Sequence, residues 1–365
     1  MIANKKILIV LVAVILTISF ARSFLGLLGI IPWHYGYSDV FNENSIDPTL
    51  AKKIPYLERP IEYPIITGFF IYLMWYFGKS LIGYVILTWI FLTLCAIITA
   101  IVLYKLCKLY VVNEKRLLRF YVFAPSLIIF GIYNWDIIAV MFMVLSIYCF
   151  YKNQYIWSAI FLSLGFNTKL FPILLLPVML LKTNLKQGIK IALIFLITFL
   201  ILNAYFLINS FDVWKKTYVF HSAREPNIDS IWSLTNLNTN TINKLSAALF
   251  LFSYLILIYN HKKYDLISLS FASVLLFLSF NKIFSPQYIL WLLPFFVLSQ
   301  TIARKVFYSL EAANIIVFLS TLYWIFASKE QIFLIAANIS VIARSLILAF
   351  IVYKVIAILK TKTFI

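Results

Sequence analysis

Apolar stretches long enough to cross a bilayer recur along this 365-residue chain from Ile7 to Tyr353. About 20 such residues make one helical crossing, so a single anchor carrying a soluble domain is excluded. Composition agrees, with 63% of residues hydrophobic and 12% charged, against about half and a quarter in soluble domains. The expected fold class is all-α, a polytopic integral membrane protein. Lys5 and Lys6 precede the first apolar run as in a leader peptide, but the run passes Arg22 to reach Leu28, which suits an anchor.

The formal net charge of +18 comes from 31 Lys and Arg against 13 Asp and Glu. In a soluble protein that excess would point to nucleic acid. In a polytopic chain the placement of charge matters more, because short basic loops stay in the cytoplasm, and no nucleic-acid partner is expected. One alternating path collects the basic loops on one side. It has about twelve spans, near 5–27, 81–104, 118–133, 136–151, 156–168, 170–181, 189–210, 240–259, 264–281, 287–303, 306–327 and 331–353, with both termini cytoplasmic. Lys105, Arg116, Lys182, Lys262 and Arg304 then share the cytoplasmic face, while most of the acids face outward, so carboxylate chemistry is expected there.

Two outer segments are long, 28–80 and 211–239. Tyr63–Phe77 is apolar, but counting it as a span would turn the basic 105–119 loop outward, so a helix lying in the outer interface is expected. Spans 156–168 and 170–181 are too short for a hydrocarbon core of about 30 Å, and they meet at Lys169 and Pro172. A cation at that depth needs protein or water around it, so this junction is expected to border a polar cavity open to the outside. No inverted counterpart of this broken pair appears elsewhere, which counts against a secondary transporter.

None of the nine glycines stands at G-x-G spacing, and no phosphate-binding G-x-x-x-x-G-K-[ST] occurs. Cys95, Cys107 and Cys149 show no C-x-x-C spacing, so neither a disulfide framework nor a zinc site is suggested. Chemistry concentrates instead at outer span ends: His34 to Val40, Glu62-Tyr63-Pro64, Asn134-Trp135-Asp136, Lys169, and Asn281 to Tyr288. Carboxylates with a few cations, framed by aromatics, suit a site that binds an anion and activates a hydroxyl.

The order Ser38-Asp39, Ile54-Pro55-Tyr56, Glu62-Tyr63-Pro64, Asn134-Trp135-Asp136, Thr168-Lys169-Leu170-Phe171-Pro172, Asn281-Lys282 and Ser285 to Trp291 resembles the GT-C membrane glycosyltransferases. Glycosyltransferase family 87 and the catalytic subunit of GPI mannosyltransferase I are the nearest likenesses, over about residues 5–300. The resemblance implies one GT-C-like domain, catalytic-core-like over 1–190 and more variable over 191–365. It implies transfer of a hexose, mannose above all, from a polyprenyl or dolichyl phosphate carrier to a lipid- or glycan-linked acceptor. The membrane would be a prokaryotic plasma membrane, with the site facing outward. A transporter or flippase of lipid-linked glycans is the alternative.

By the resemblance Asp39 is the general base of a single inverting displacement, and Lys169, Arg224 and Lys282 are candidates to neutralise the departing phosphate. Glu62, Asp136, Gln287 and Tyr288 complete the expected substrate-binding set. Glu62 and Asp136 also suit helix N-termini, and Arg224 could pair with Glu225. The GPI enzyme's motif has two aspartates separated by one residue, whereas here Tyr37-Ser38-Asp39 offers one, with Glu43 four residues further on. One carboxylate is a poor divalent-cation site, so no cofactor is expected and a metal is the less favoured reading. Trp33, Tyr37, Trp135 and Tyr288 are placed to stack on sugar. Arg22 would snorkel or reach the donor phosphate, and Glu311 would pair with Arg344.

Overall fold

The computed structural model describes residues 5–42, 49 and 52–357; Glu43 lies outside them. Among these residues the chain is helical and no strand forms. Six helices of 21 to 29 residues are long and apolar enough to cross a membrane: Lys5–Leu27, Leu81–Leu109, Leu185–Asn209, Thr239–Tyr259, Arg304–Ala327 and Gln331–Ala357. Local chemistry sets several starts. The side chains of Ser80, Asn184, Asn238 and Asp265 each accept the backbone N–H three residues on, satisfying a donor that a first turn leaves unpaired.

The expected spans at 118–133, 170–181 and 287–303 are not continuous helices. The first divides into short pieces ending in Pro125–Phe130, the second begins as a tight turn over Phe171–Leu174, and the third as one over Pro286–Trp291. Pro125, Pro172 and Pro286 each stand at the first or second position of the piece that follows. A proline has no N–H to give the preceding turn and its ring crowds that turn's carbonyl, so hydropathy runs on where the helix does not.

Asp136–Tyr151 packs against Tyr155–Thr168 and Leu81–Leu109, Tyr155–Thr168 also against Leu185–Asn209, Lys5–Leu27 against Leu81–Leu109, and Arg304–Tyr323 against Gln331–Ala357. The segment expected as an interfacial helix is helix Ile65–Gly78. Trp75 near its end stacks on Tyr84 at 4.8 Å, while near its start the Thr67 hydroxyl donates to the Thr168 carbonyl at 2.8 Å. It therefore braces the beginning of Leu81–Leu109 against the end of Tyr155–Thr168.

The basic links gather at one end of the bundle. Arg116 donates to the carbonyls of Phe296 (2.7 Å) and Val297 (3.1 Å), and also to that of Ser299. Lys182 donates to the His261 carbonyl at 2.7 Å and to that of Tyr264. Glu311 and Arg344 do not pair with one another as expected. The Glu311 carboxylate accepts from the Ser126 N–H (2.9 Å) and hydroxyl (2.5 Å), at the open start of a helix where unpaired N–H groups seek an acceptor. Arg344 donates to Asn314 Oδ1 at 2.8 Å, to the Phe284 carbonyl at 3.1 Å and to the Asp229 carbonyl.

Candidate active site

At the end of the bundle away from those basic links lies a cavity of about 840 Å³. The segment carrying Asp39 reaches it by riding on the first helix. Gly26 and Gly36 touch so closely that a Cβ on Gly26 would stand 2.6 Å from the Gly36 Cα, so neither position has room for a side chain. Arg22 fastens the same segment, donating to the carbonyls of Tyr35 (2.6 Å), Tyr37 (3.3 Å) and Ile129 (3.2 Å). It neither snorkels nor faces the cavity, because main-chain oxygens already occupy it. The buried Ser38 hydroxyl reaches the carbonyls of Ile132 (2.9 Å) and Tyr133 (3.0 Å). Asp39 is thereby stitched beside the stretch that carries Asn134.

Asn134 joins the two charged groups. Its Nδ2 donates to Asp39 Oδ2 at 2.7 Å, and its Oδ1 accepts from Lys169 Nζ at 3.3 Å. Lys169 Nζ in turn lies 2.8 Å from Asp136 Oδ1, an oxygen that also accepts from Trp291 Nε1 at 2.7 Å. Asp136 thus holds Lys169 and does not cap its helix. Rings of Tyr63, Tyr288 and Trp291 surround the ammonium at 5.5, 5.2 and 5.9 Å, a cation–π cage that fixes its position. The Lys169 side chain keeps 13% of its surface open, and Lys169 lines the cavity.

Burial raises the Asp39 carboxyl to about 6, against the pull of Asn134 and Lys169. A carboxylate with that affinity for protons is largely ionised at neutral pH, yet a better base than an ordinary aspartate. His221 also lines the cavity; burial lowers its pKa, and its Nε2 meets the Glu62 carbonyl at 2.8 Å.

Of the eight residues expected from sequence, Asp39, Glu62, Lys169, Arg224, Lys282, Gln287 and Tyr288 line this one cavity, and Asp136 stands behind Lys169. Their availability differs. Lys282 is buried and donates to the carbonyls of Ser222 (2.9 Å) and Arg224 (2.5 Å), so it ties down the end of a helix before it can serve a phosphate. Arg224 donates to Asn227 Oδ1 at 3.0 Å, a different partner from the Glu225 suggested by sequence. Pro64, not Glu62, precedes helix Ile65–Gly78, leaving Glu62 exposed on the cavity wall. Trp135 is buried and packs on Tyr63, and Trp33 packs edge-on against Tyr37, and neither lines the cavity. Sequence reading passed over Asn134, Trp291 and Asp229 as site residues. The first two are neutral, and the third looked like any loop carboxylate. No three His, Cys, Asp or Glu come together to hold a metal among the described residues.

The described residues thus form an all-helical bundle with a carboxylate and a caged cation beside one polar cavity. The model of glycosyltransferase family 87 matches residues 62–280, and the chain belongs to that family. Its fold is similar to that of ArnT from Cupriavidus metallidurans, solved bound to undecaprenyl phosphate: TM-score 0.50 at 12% identity, covering 97% of this chain and 78% of that one. No curated protein matches the sequence.

Proposed function

We propose that the protein transfers a hexose, mannose by its sequence resemblance, from a polyprenyl phosphate to a lipid- or glycan-linked acceptor, with Asp39 as general base. The observation that carries this reading is the Asp39–Asn134–Lys169–Asp136 chain. It sets a proton acceptor and a fixed cation on one cavity wall, joined through a single amide. Asp39 takes the acceptor hydroxyl proton as the oxygen attacks the anomeric carbon. The bond to the carrier's phosphate oxygen breaks on the opposite side, and Lys169 stabilises the charge left there. A phosphate leaving group needs no protonation, so one carboxylate suffices and no metal is invoked.

The undecaprenyl phosphate bound by the ArnT structure supports a polyprenyl carrier. Gathering of the basic loops at the opposite end of the bundle supports an outward-facing cavity by the positive-inside rule; the Ile- and Lys-rich, short-looped sequence favours a prokaryotic plasma membrane. The test is incubation of the purified chain in nanodiscs with a membrane lipid extract and radiolabelled undecaprenyl- or dolichyl-phosphate mannose or glucose. A labelled lipid or glycan is expected, insensitive to chelator and formed about 10²- to 10⁴-fold more slowly with Asp39→Asn. No product from any donor would overturn the proposal.

A further inference from the structure

Among the described residues that line the cavity, three buried oxygens have no close hydrogen-bond partner: Asp229 Oδ1, Gln287 Oε1 and the hydroxyl of Thr321, on residues 8%, 5% and 5% exposed. Of the three only Thr321 can donate, and its hydroxyl faces Asp229, which leaves Gln287 Oε1 and the rest of Asp229's acceptor capacity open. Buried acceptors left unpaired cost stability unless something brings them donors. Their positions are also held at some expense. Arg344, fully buried on helix Gln331–Ala357, donates to the carbonyls of Asp229 and Phe284. Asn227 Nδ2 donates to Ser285 Oγ at 2.9 Å, and the Asn227 N–H to the Lys282 carbonyl at 3.2 Å. The 227–229 turn and the 282–287 loop therefore form one wall.

What would bring donors to this wall follows from the chemistry of the proposed substrate, on which the inference rests. A phosphodiester offers only acceptors and a polyprenyl chain offers neither. An ammonium would be opposed by Arg344 and Arg224, the cations beside Asp229. Hydroxyl groups remain. Gln287 immediately precedes Tyr288, whose ring lies 5.2 Å from Lys169 Nζ, so the wall begins next to the cation assigned to the phosphate. The group directly bonded to that phosphate is the donor's own sugar. We infer that Asp229 and Gln287 form a subsite for the hydroxyls of the donor hexose, held in place by Arg344.

The experiment compares binding of undecaprenyl phosphate with that of undecaprenyl-phosphate mannose and undecaprenyl-phosphate glucose, read by tryptophan fluorescence in nanodiscs. Wild type should bind at least one sugar-bearing lipid more tightly than the bare phosphate. Asp229→Asn and Gln287→Ala should each lower affinity for that lipid about tenfold, about 1.4 kcal/mol, while undecaprenyl phosphate binds as before; that unchanged binding also reports an intact fold. Lys169→Met should weaken all three lipids, the more highly charged bare phosphate most. If both wall variants keep the sugar's advantage, or lose affinity for bare and sugar-bearing lipid equally, or if wild type shows no advantage with either sugar, the subsite is overturned while the phosphate reading stands. If wild type binds none of the lipids, the underlying function falls as well.

Discussion

Asn134 is the residue through which the proposed base, Asp39, and the cation proposed to meet the phosphate, Lys169, are coupled, and replacing it with leucine separates their contributions. The Asn134 Nδ2 bond to Asp39 Oδ2, at 2.7 Å, is made to a charged acceptor, and such bonds are worth about 1.5–3 kcal/mol. Burial already lifts Asp39 to about 6, and Asn134 is the first of the groups holding it down. At about 1.4 kcal/mol per pKa unit, even the lower end of that range moves the titration up by about one pH unit. The sign follows from the role: a base works only when deprotonated, so kcat/KM should fall on the acid side of pH 6 in the wild type. In Asn134→Leu the same limb should begin near pH 7. The variant would then retain about a third of wild-type activity at pH 6.5 from this cause, with the deficit closing above about pH 8.5. The assay is the pH dependence of labelled-sugar transfer, with thermal unfolding as a check on the fold. A uniform loss at every pH, with the acid limb unmoved, would refute the assignment of Asp39 as the base.

Asp39→Asn should reduce transfer by about 10² to 10⁴ while binding of undecaprenyl phosphate, measured separately, stays intact. Asp136→Asn leaves Lys169 without its ion-pair partner in the wall; removing one member of a buried pair costs about 3–5 kcal/mol, discounted here for the exposed edge of Lys169, and should show as a clear drop in Tm. Gly36→Val should abolish transfer without preventing membrane insertion, since the side chain would collide with the first helix and displace the Asp39 segment; an active variant would count against the tight seating of that segment. Glu311→Ala should lower Tm by stripping the start of helix Pro125–Phe130 of its acceptor, with the acid limb of the pH profile unchanged.

Much of this arrangement is legible in the sequence because it rests on strong local signals. Hydropathy marks the six long helices, since every residue of a spanning helix must face lipid or protein, and the positive charges mark the face opposite the cavity. Lys169 stands out because a cation between two short apolar segments is costly unless something receives it. The roles of Lys282 and Arg22 are not legible: both are cations near an outer span end, and only the packed chain shows that main-chain carbonyls have already claimed them. Nor is the pairing of Glu311 with Ser126, which joins residues 185 positions apart. Asn134 is the most instructive omission. An uncharged amide gives no sign in sequence that it will stand between an aspartate and a lysine, although the Asn-Trp-Asp triplet placed it within two residues of Asp136.

The partnership of Lys169 with Asp136 bears on how a catalytic cycle ends. Loss of its sugar turns a carrier from a phosphodiester into a monoester of higher negative charge, so the spent lipid is attracted to a cation more strongly than the loaded one was. A solitary lysine in that pocket would retain it and stall the next round. In the proposed reaction, the neighbouring carboxylate of Asp136, which already offsets the ammonium's charge, would let Lys169 steady the departing group and then release it into the bilayer.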